Sequence, residues 1–343
     1  MKLEGGKLGR YHLLSRIGQG GMGTVYRAWC ARLERPVALK VLSPDLERDE
    51  KARRALVREA ALLARVRHPG VVRVLDVDQA NGTTFYVMEV VSDPTLQSML
   101  DAQGSQGGKL PLPVAATVMA TLLGAVQAMH EAHVVHRDLK PSNVFVSPGG
   151  NARLCDFGLA CDVARGADAT RSGSTSGTLA YMAPEQLLGD DADARTDIYA
   201  CGLMLYRMLA GRFPFDLNVS AIARAKLARP ELPDLRDANP AVSVEIAQVF
   251  RVACHQNPDC RYASAAEMQA ALAQAFRAPR PGARVPSRAV TAPRRPVFAR
   301  LAAVAVGLLA GVTIAFLAGL TPGFAHETED VPLALADVRN LVK

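Results

Sequence analysis

The stretch Gly18-Gln19-Gly20-Gly21-Met22-Gly23 constrains the fold more than any other, because of what flanks it. A G-x-G-x-x-G run serves two architectures. In a dinucleotide fold it opens a helix, and a carboxylate follows about twenty residues on. Here Tyr11 to Ile17 leads in as a strand, and Thr24-Val25-Tyr26-Arg27-Ala28 alternates again after it. The expected structure is therefore a glycine-rich hairpin, whose backbone amides can approach phosphates without side-chain interference. A nucleotide-dependent oxidoreductase is disfavoured on the same ground.

The next strand, Pro36 to Leu42, is apolar except for Lys40. A charge inside a buried run needs a partner. The candidate is Glu59, on a helix expected over about 47–67 and otherwise decorated with arginine. His68-Pro69 is expected to end that helix. Val71 to Val77 and Thr83 to Val90 read as an antiparallel pair turning at Asn81-Gly82. After Ser92-Asp93-Pro94 the composition changes from strands to helices, which predicts an α+β protein of two lobes. A nucleotide cleft would lie between them, with 89–91 as the connecting strand.

In the second half, an apolar helix at about 113–132 and strand-like Val134-Val135 precede His136-Arg137-Asp138-Leu139-Lys140-Pro141-Ser142-Asn143. A carboxylate, an ammonium and a carboxamide stand within six positions. Asp138 can accept a hydroxyl proton, Lys140 can neutralise a migrating phosphoryl group, and Asn143 can offer oxygen to a metal ion. Positioning and charge neutralisation of this kind supply most of the catalysis in phosphoryl transfer. Asp156-Phe157-Gly158 follows a short strand, where a carboxylate suits a divalent cation between phosphates. A Ser-, Thr- and Gly-rich segment, 161–177, leads to Ala183-Pro184-Glu185, and Asp197 to Tyr206 reads as a core helix.

These motifs, with Val37-Ala38-Leu39-Lys40, occur in one order over about 170 residues and resemble the protein-kinase signature. The match covers 11–276 and is most similar to bacterial eukaryotic-like (Hanks-type) transmembrane serine/threonine kinases. The resemblance implies a bilobal kinase fold, a small antiparallel-sheet lobe (11–91) and a helical lobe (92–276), after an N-terminal extension 1–10. It implies ATP and Mg²⁺, with Mn²⁺ as an alternative ion, and protein substrates carrying Ser or Thr. By the same resemblance Lys40 pairs with Glu59 and holds the α/β-phosphates, Asp138 takes the substrate proton, and Lys140 contacts the γ-phosphate. Asn143 and Asp156 would bind the metal. Ile17, Gly18, Gly20 and Gly23 would form the nucleotide lid, while Val25, Ala38 and Phe145 sandwich adenine. Met88 is implied as gatekeeper, Glu89 to Val91 as the adenine hinge, and Thr178 of the P+1 loop as the bridge between Asp138 and Lys140. Glu185 with Arg261 is implied as a structural ion pair, and Asp197 as the catalytic-loop anchor. Phe145 is bulkier than the residue often found beneath adenine, and Ser92-Asp93-Pro94 replaces a commoner Asp-Gly.

Arg137, beside Asp138, implies control by activation-loop phosphorylation, since an anion there would balance the arginine. Thr170 and Ser172 are the candidate sites, eight and six residues before Thr178. A catalytically silent scaffold is the alternative, but the residues whose loss would mark it, Lys40, Asp138 and Asp156, are all present.

The net charge of +7 is localised: seven arginines and no acid lie in 277–300, which reads as a Pro- and Arg-rich linker. A nucleic-acid partner is not expected, because the excess is not on a folded face. The six scattered cysteines fit a reducing compartment, and Cys155 is expected to be a buried, inert thiol. The N-terminus has no apolar core, so no cleavable signal peptide is expected. Leu301 to Leu320 carries no charge over twenty residues, about 30 Å as a helix, enough to span a bilayer. Arginines before it and Glu327, Glu329 and Asp330 after it orient the kinase to the cytoplasm of a single-pass inner-membrane protein, with 321–343 outside. Membrane lipids are expected partners of the linker. A homodimer could form through the kinase lobes or through the Gly307/Gly311 face.

Overall fold

Six antiparallel strands make the first lobe: β1 (Lys7–Leu8), β2 (Tyr11–Gln19), β3 (Gly23–Cys30), β4 (Arg35–Leu42), β5 (Val74–Ala80) and β6 (Thr83–Glu89), in the order β1-β2-β3-β4-β6-β5. The computed structural model describes residues 4–20, 23–104, 108–156, 176–218, 222, 226 and 232–277. Phe157, Gly158, Thr170, Ser172, Gly307, Gly311, the linker from residue 278 and the span 301–320 lie outside them.

The two-residue period of a strand sorts side chains between the sheet's faces. Val37, Leu39 and Val41 of β4 join Phe85 and Val87 of β6 in one buried cluster. The alternate residues Ala38 and Leu42, with Tyr86 and Met88, belong to the other cluster, on the side of helix α1 (Glu50–Leu63). Lys40 falls in register with Tyr86 on that second face. On α1 the buried stripe is Ala52, Ala55, Leu56, Glu59, Ala60 and Leu63, helical spacing that leaves Glu59 no route to solvent. Helix α1 stops at Leu63, short of His68-Pro69. Arg65 and Val66 bond back three residues, a tightened turn that carries Val66 into the core.

Two further differences concern short segments. The extension 1–10 contributes β1, whose Leu8 is buried, so part of it belongs to the sheet. Asn81 and Gly82 both have positive φ, 53° and 71°, as a two-residue hairpin turn requires.

The second lobe holds α2 (Leu96–Ala102), α3 (Leu112–Glu131), the hairpin β7 (Val144–Val146) and β8 (Ala152–Leu154), α4 (Ser176–Tyr181), α5 (Pro184–Leu188), α6 (Ala194–Ala210), α7 (Leu235–Ala238), α8 (Val244–Ala253) and α9 (Ala265–Arg277). Among the described residues α3 alone is long and apolar enough to cross a membrane, but Val118, Met119, Leu122, Leu123 and Val126 bury it in the lobe's core. Val134-Val135 is not a strand. His133, at φ 58°, ends α3 in a left-handed turn in which Val134 N–H donates to Met129 O (2.9 Å) and His133 N–H to His130 O (3.0 Å). Helix α6 is buried almost all round and is the lobe's central post.

Candidate active site

Lys40 is brought to Glu59 by the register just described. Its Nζ lies 2.7 Å from Glu59 Oε1 and 3.1 Å from Asp156 Oδ1. Burial alone would push the Lys40 ammonium down, but Asp156, Tyr86 and Glu59 outweigh it and hold its pKa well above the ordinary lysine value. Burial likewise raises the Asp156 carboxyl, yet Lys40, His136 and Lys140 hold it below its ordinary value. Both groups are therefore charged at neutral pH. Sequence reasoning missed Tyr86, whose hydroxyl donates to Glu59 Oε1 at 2.8 Å. The available signal was its place on the face that alternates with Phe85 and Val87.

The loop 136–143 is held from beneath by α6. Asp197, 1 % exposed, accepts from His136 N–H and Arg137 N–H (both 2.9 Å) and meets His130 Nε2 at 2.8 Å. Those contacts fix Arg137 at φ 66°, a left-handed conformation that costs about 1–3 kcal/mol and persists only where the surroundings over-determine it. Asp156 is left-handed too, at φ 52°. Two strained residues therefore flank the same polar cluster. Within it Lys140 Nζ donates to Asp138 Oδ2 (2.8 Å), and Asn143 Nδ2 donates to Asp138 O (2.9 Å) with Asp156 O 3.4 Å away. Asp138, Lys140, Asn143 and Asp156 thus converge, with Lys40 joined through Asp156.

The residues expected around adenine lie in or against the main core. Ala38 and Met88 are buried in the main core, and Val25, Val91 and Phe145 pack against it part-exposed. Ile17, 52 % exposed, stands at the end of β2. The glycines differ in purpose. A Cβ on Gly20 would meet nothing within 4 Å among the described residues, and its N–H donates across the hairpin to Gly23 O (2.9 Å). A Cβ on Gly23 would lie 2.1 Å from Val41 O, so that glycine is required for the contact of β3 with β4. Glu89 ends β6, and residues 90–91 are not strand. The Glu89 side chain accepts from Arg73 N–H (2.8 Å) and pairs with Arg153 of β8, a clasp across the lobes that the sequence did not reveal.

The donor set fits a nucleotide-bound Mg²⁺. Such an ion takes one or two protein oxygens and completes its shell with phosphates and water, and Asp156 with Asn143 supplies that number. Lys40 approaches Asp156 Oδ1 without the geometry of a hydrogen bond, so this buried oxygen keeps its acceptor capacity. Cys155 is buried, and burial followed by the Asp156 charge raises its thiol well above the ordinary value, as an inert cysteine requires. Away from the cleft, Glu185 and Arg261 form a bidentate pair at 2.7 and 2.8 Å, and the arginine stacks 4.8 Å from the Tyr199 ring centre. Thr178 lies on α4, with its side chain outside the described residues.

A sheet lobe and a helical lobe that place a lysine–glutamate pair above a loop of Asp, Lys and Asn define the class of protein kinases. Residues 11–276 match the family model described as Protein kinase domain, and the chain belongs to that family. The curated relatives it resembles are bacterial serine/threonine kinases. PrkC of Bacillus subtilis, a serine/threonine-protein kinase, is 34% identical over 272 residues, 79% of this chain and 41% of PrkC. RqkA of Deinococcus radiodurans, a DNA damage-responsive serine/threonine-protein kinase, is 40% identical over 244 residues, 71% of this chain and 36% of its own. The chain therefore spans about two fifths of the length of these relatives. A crystal structure of the Mycobacterium tuberculosis PknI kinase domain superposes with a TM-score of 0.62 at 28% identity, covering 79% of this chain and 97% of that one.

Proposed function

We propose that the chain is a membrane-anchored serine/threonine protein kinase that transfers the γ-phosphate of ATP to protein hydroxyls and phosphorylates its own activation loop. The observation that carries the reading is the convergence of Lys40–Glu59, Asp138–Lys140–Asn143 and Asp156 in one cleft. Asp138 orients the substrate hydroxyl and accepts its proton. Lys140, 2.8 Å from that carboxylate, offsets charge as the phosphoryl group moves. Lys40, held by Glu59, positions the α/β-phosphates, and Asp156 and Asn143 are the residues that would hold Mg²⁺, which neutralises phosphate charge when bound. Val25, Ala38 and Phe145 enclose adenine, Met88 is the gatekeeper, and Glu89 to Val91 offers hinge backbone. Gly18, Gly20 and Gly23 with Ile17 form the lid, and Thr178, on α4, belongs to the segment that receives substrate.

Thr170 and Ser172 are the proposed autophosphorylation sites, supported by Arg137 beside Asp138. The apolar span 301–320 after a basic linker supports a single-pass anchor with the kinase in the cytoplasm. The full chain, incubated with Mg-ATP and a generic basic protein, is expected to yield phosphoserine or phosphothreonine, with Thr170 or Ser172 among the modified peptides. A product without phosphate would leave a kinase-fold scaffold as the reading.

A further inference from the structure

Lysine almost never sits fully buried without a carboxylate partner. Lys226 does: it is 0 % exposed, and among the described residues no carboxylate forms an ion pair with it. Its Nζ donates instead to three backbone carbonyls, Ala180 O (2.7 Å), Leu179 O (3.1 Å) and Met182 O. The rings of Tyr199 and Phe215 lie against the same ammonium, each centre 5.3 Å away. Burial pushes this ammonium down to about 7, with Cys254 and Glu185 opposing the shift and Glu185 itself engaged by Arg261.

The carbonyls belong to a segment that needs outside donors. Helix α4 ends at Tyr181 and α5 begins at Pro184, so the break leaves Ala180 O and Met182 O without a continuing helical turn, while Leu179 O also accepts from Met182 N–H (3.3 Å). An ammonium has three donors and no acceptor, which matches three converging oxygens. The segment is also tied to the catalytic loop. Gln186 accepts from Ala183 N–H (2.9 Å) and donates to Arg137 O (2.8 Å), one residue before Asp138.

We infer that Lys226 is a positioning residue for the protein substrate: it fixes residues 179–183, the platform after Thr178, against the catalytic loop. The inference rests on the kinase reading. It acts at the substrate side of the cleft, and Lys226 itself touches neither nucleotide nor the transferring group.

The test uses the full chain with Lys226→Met, which keeps the apolar stem and removes the donors, and Lys226→Gln, which keeps two. KM for a basic protein substrate is expected to rise about tenfold or more in the Met variant and less in the Gln variant, while KM for ATP stays within about twofold. Backbone hydrogen exchange is expected to accelerate at 179–183 and not across α6. A folded variant with an unchanged protein-substrate KM would overturn the inference. So would loss of cooperative unfolding in both variants, or exchange accelerated throughout the lobe, since either makes the lysine a general core residue. A wild-type chain that transfers no phosphate sinks the kinase reading instead, and the exchange experiment still reads the contact.

Discussion

At the scale of single residues, the site depends on a charge chain that runs from Tyr86 through Glu59 and Lys40 to Asp156. Glu59 Oε1 takes both the lysine and the tyrosine hydroxyl, so the phenol fixes the carboxylate that fixes the lysine. Tyr86→Phe removes one neutral-to-charged hydrogen bond, about 1.5–3 kcal/mol of local support. The expected result is a rise in KM for ATP of severalfold with the fold intact, measured by steady-state kinetics and circular dichroism. An unchanged KM would make the contact incidental. Lys40 and Glu59 were legible in the sequence because each is an exception in its own run. Tyr86 was not, because a tyrosine among apolar residues looks like core until its register against Lys40 is known. Lys226 was hidden for a similar reason, since nothing in a sequence distinguishes a lysine facing three carbonyls from one facing water.

At the scale of elements, α6 anchors the second lobe twice, through Asp197 to the catalytic loop and through Thr196, whose hydroxyl donates to Glu185 (2.9 Å). Burial raises the Glu185 carboxyl, but hydrogen bonds and charge from Arg261 hold it below its ordinary 4.5. A depressed carboxylate contributes stability that is complete above its unfolded value and is lost as pH falls through its folded one. Arg261→Met strands that carboxylate and should cost about 3 kcal/mol at neutral pH. The difference from wild type should begin to shrink above pH 4.5, because burial without the arginine raises the stranded carboxyl, and should go on shrinking as pH falls through the depressed wild-type value. Urea denaturation at several pH values reads both effects, and a pH-independent difference would contradict the assignment. Element types were legible from periodicity, while their ends were not. The stop of α1 depends on where Val66 must be buried, and the end of α3 on a histidine adopting a conformation usually left to glycine.

At the scale of the whole molecule, the two lobes meet where β8 touches the chain entering β5 and the end of β6. Val72 N–H donates to Leu154 O and Leu154 N–H to Gly70 O, both at 2.8 Å, and Glu89 clasps Arg153. The order of motifs made this bilobal plan readable in advance, since glycine hairpin, lysine strand and catalytic loop fit together in few ways. The clasp was not readable, because it joins residues 64 apart that share no local pattern. The proposed anchor belongs to this scale. Full-length chain should float with anionic vesicles after high-salt washing, and chain ending at Arg277 should not. Equal behaviour of the two would remove the membrane from the account.

The central claim is that the converged polar cluster performs phosphoryl transfer rather than nucleotide binding alone. The direct measurement is a comparison of Asp138→Asn with wild type, both for Mg-ATP binding by calorimetry and for phosphate transferred to protein. Asparagine keeps the shape and removes the proton acceptor, so binding should change by less than about threefold while transfer falls by about a hundredfold or more. Transfer that survives the substitution at the wild-type rate would contradict the assignment of Asp138, and with it the chemistry argued for the cleft.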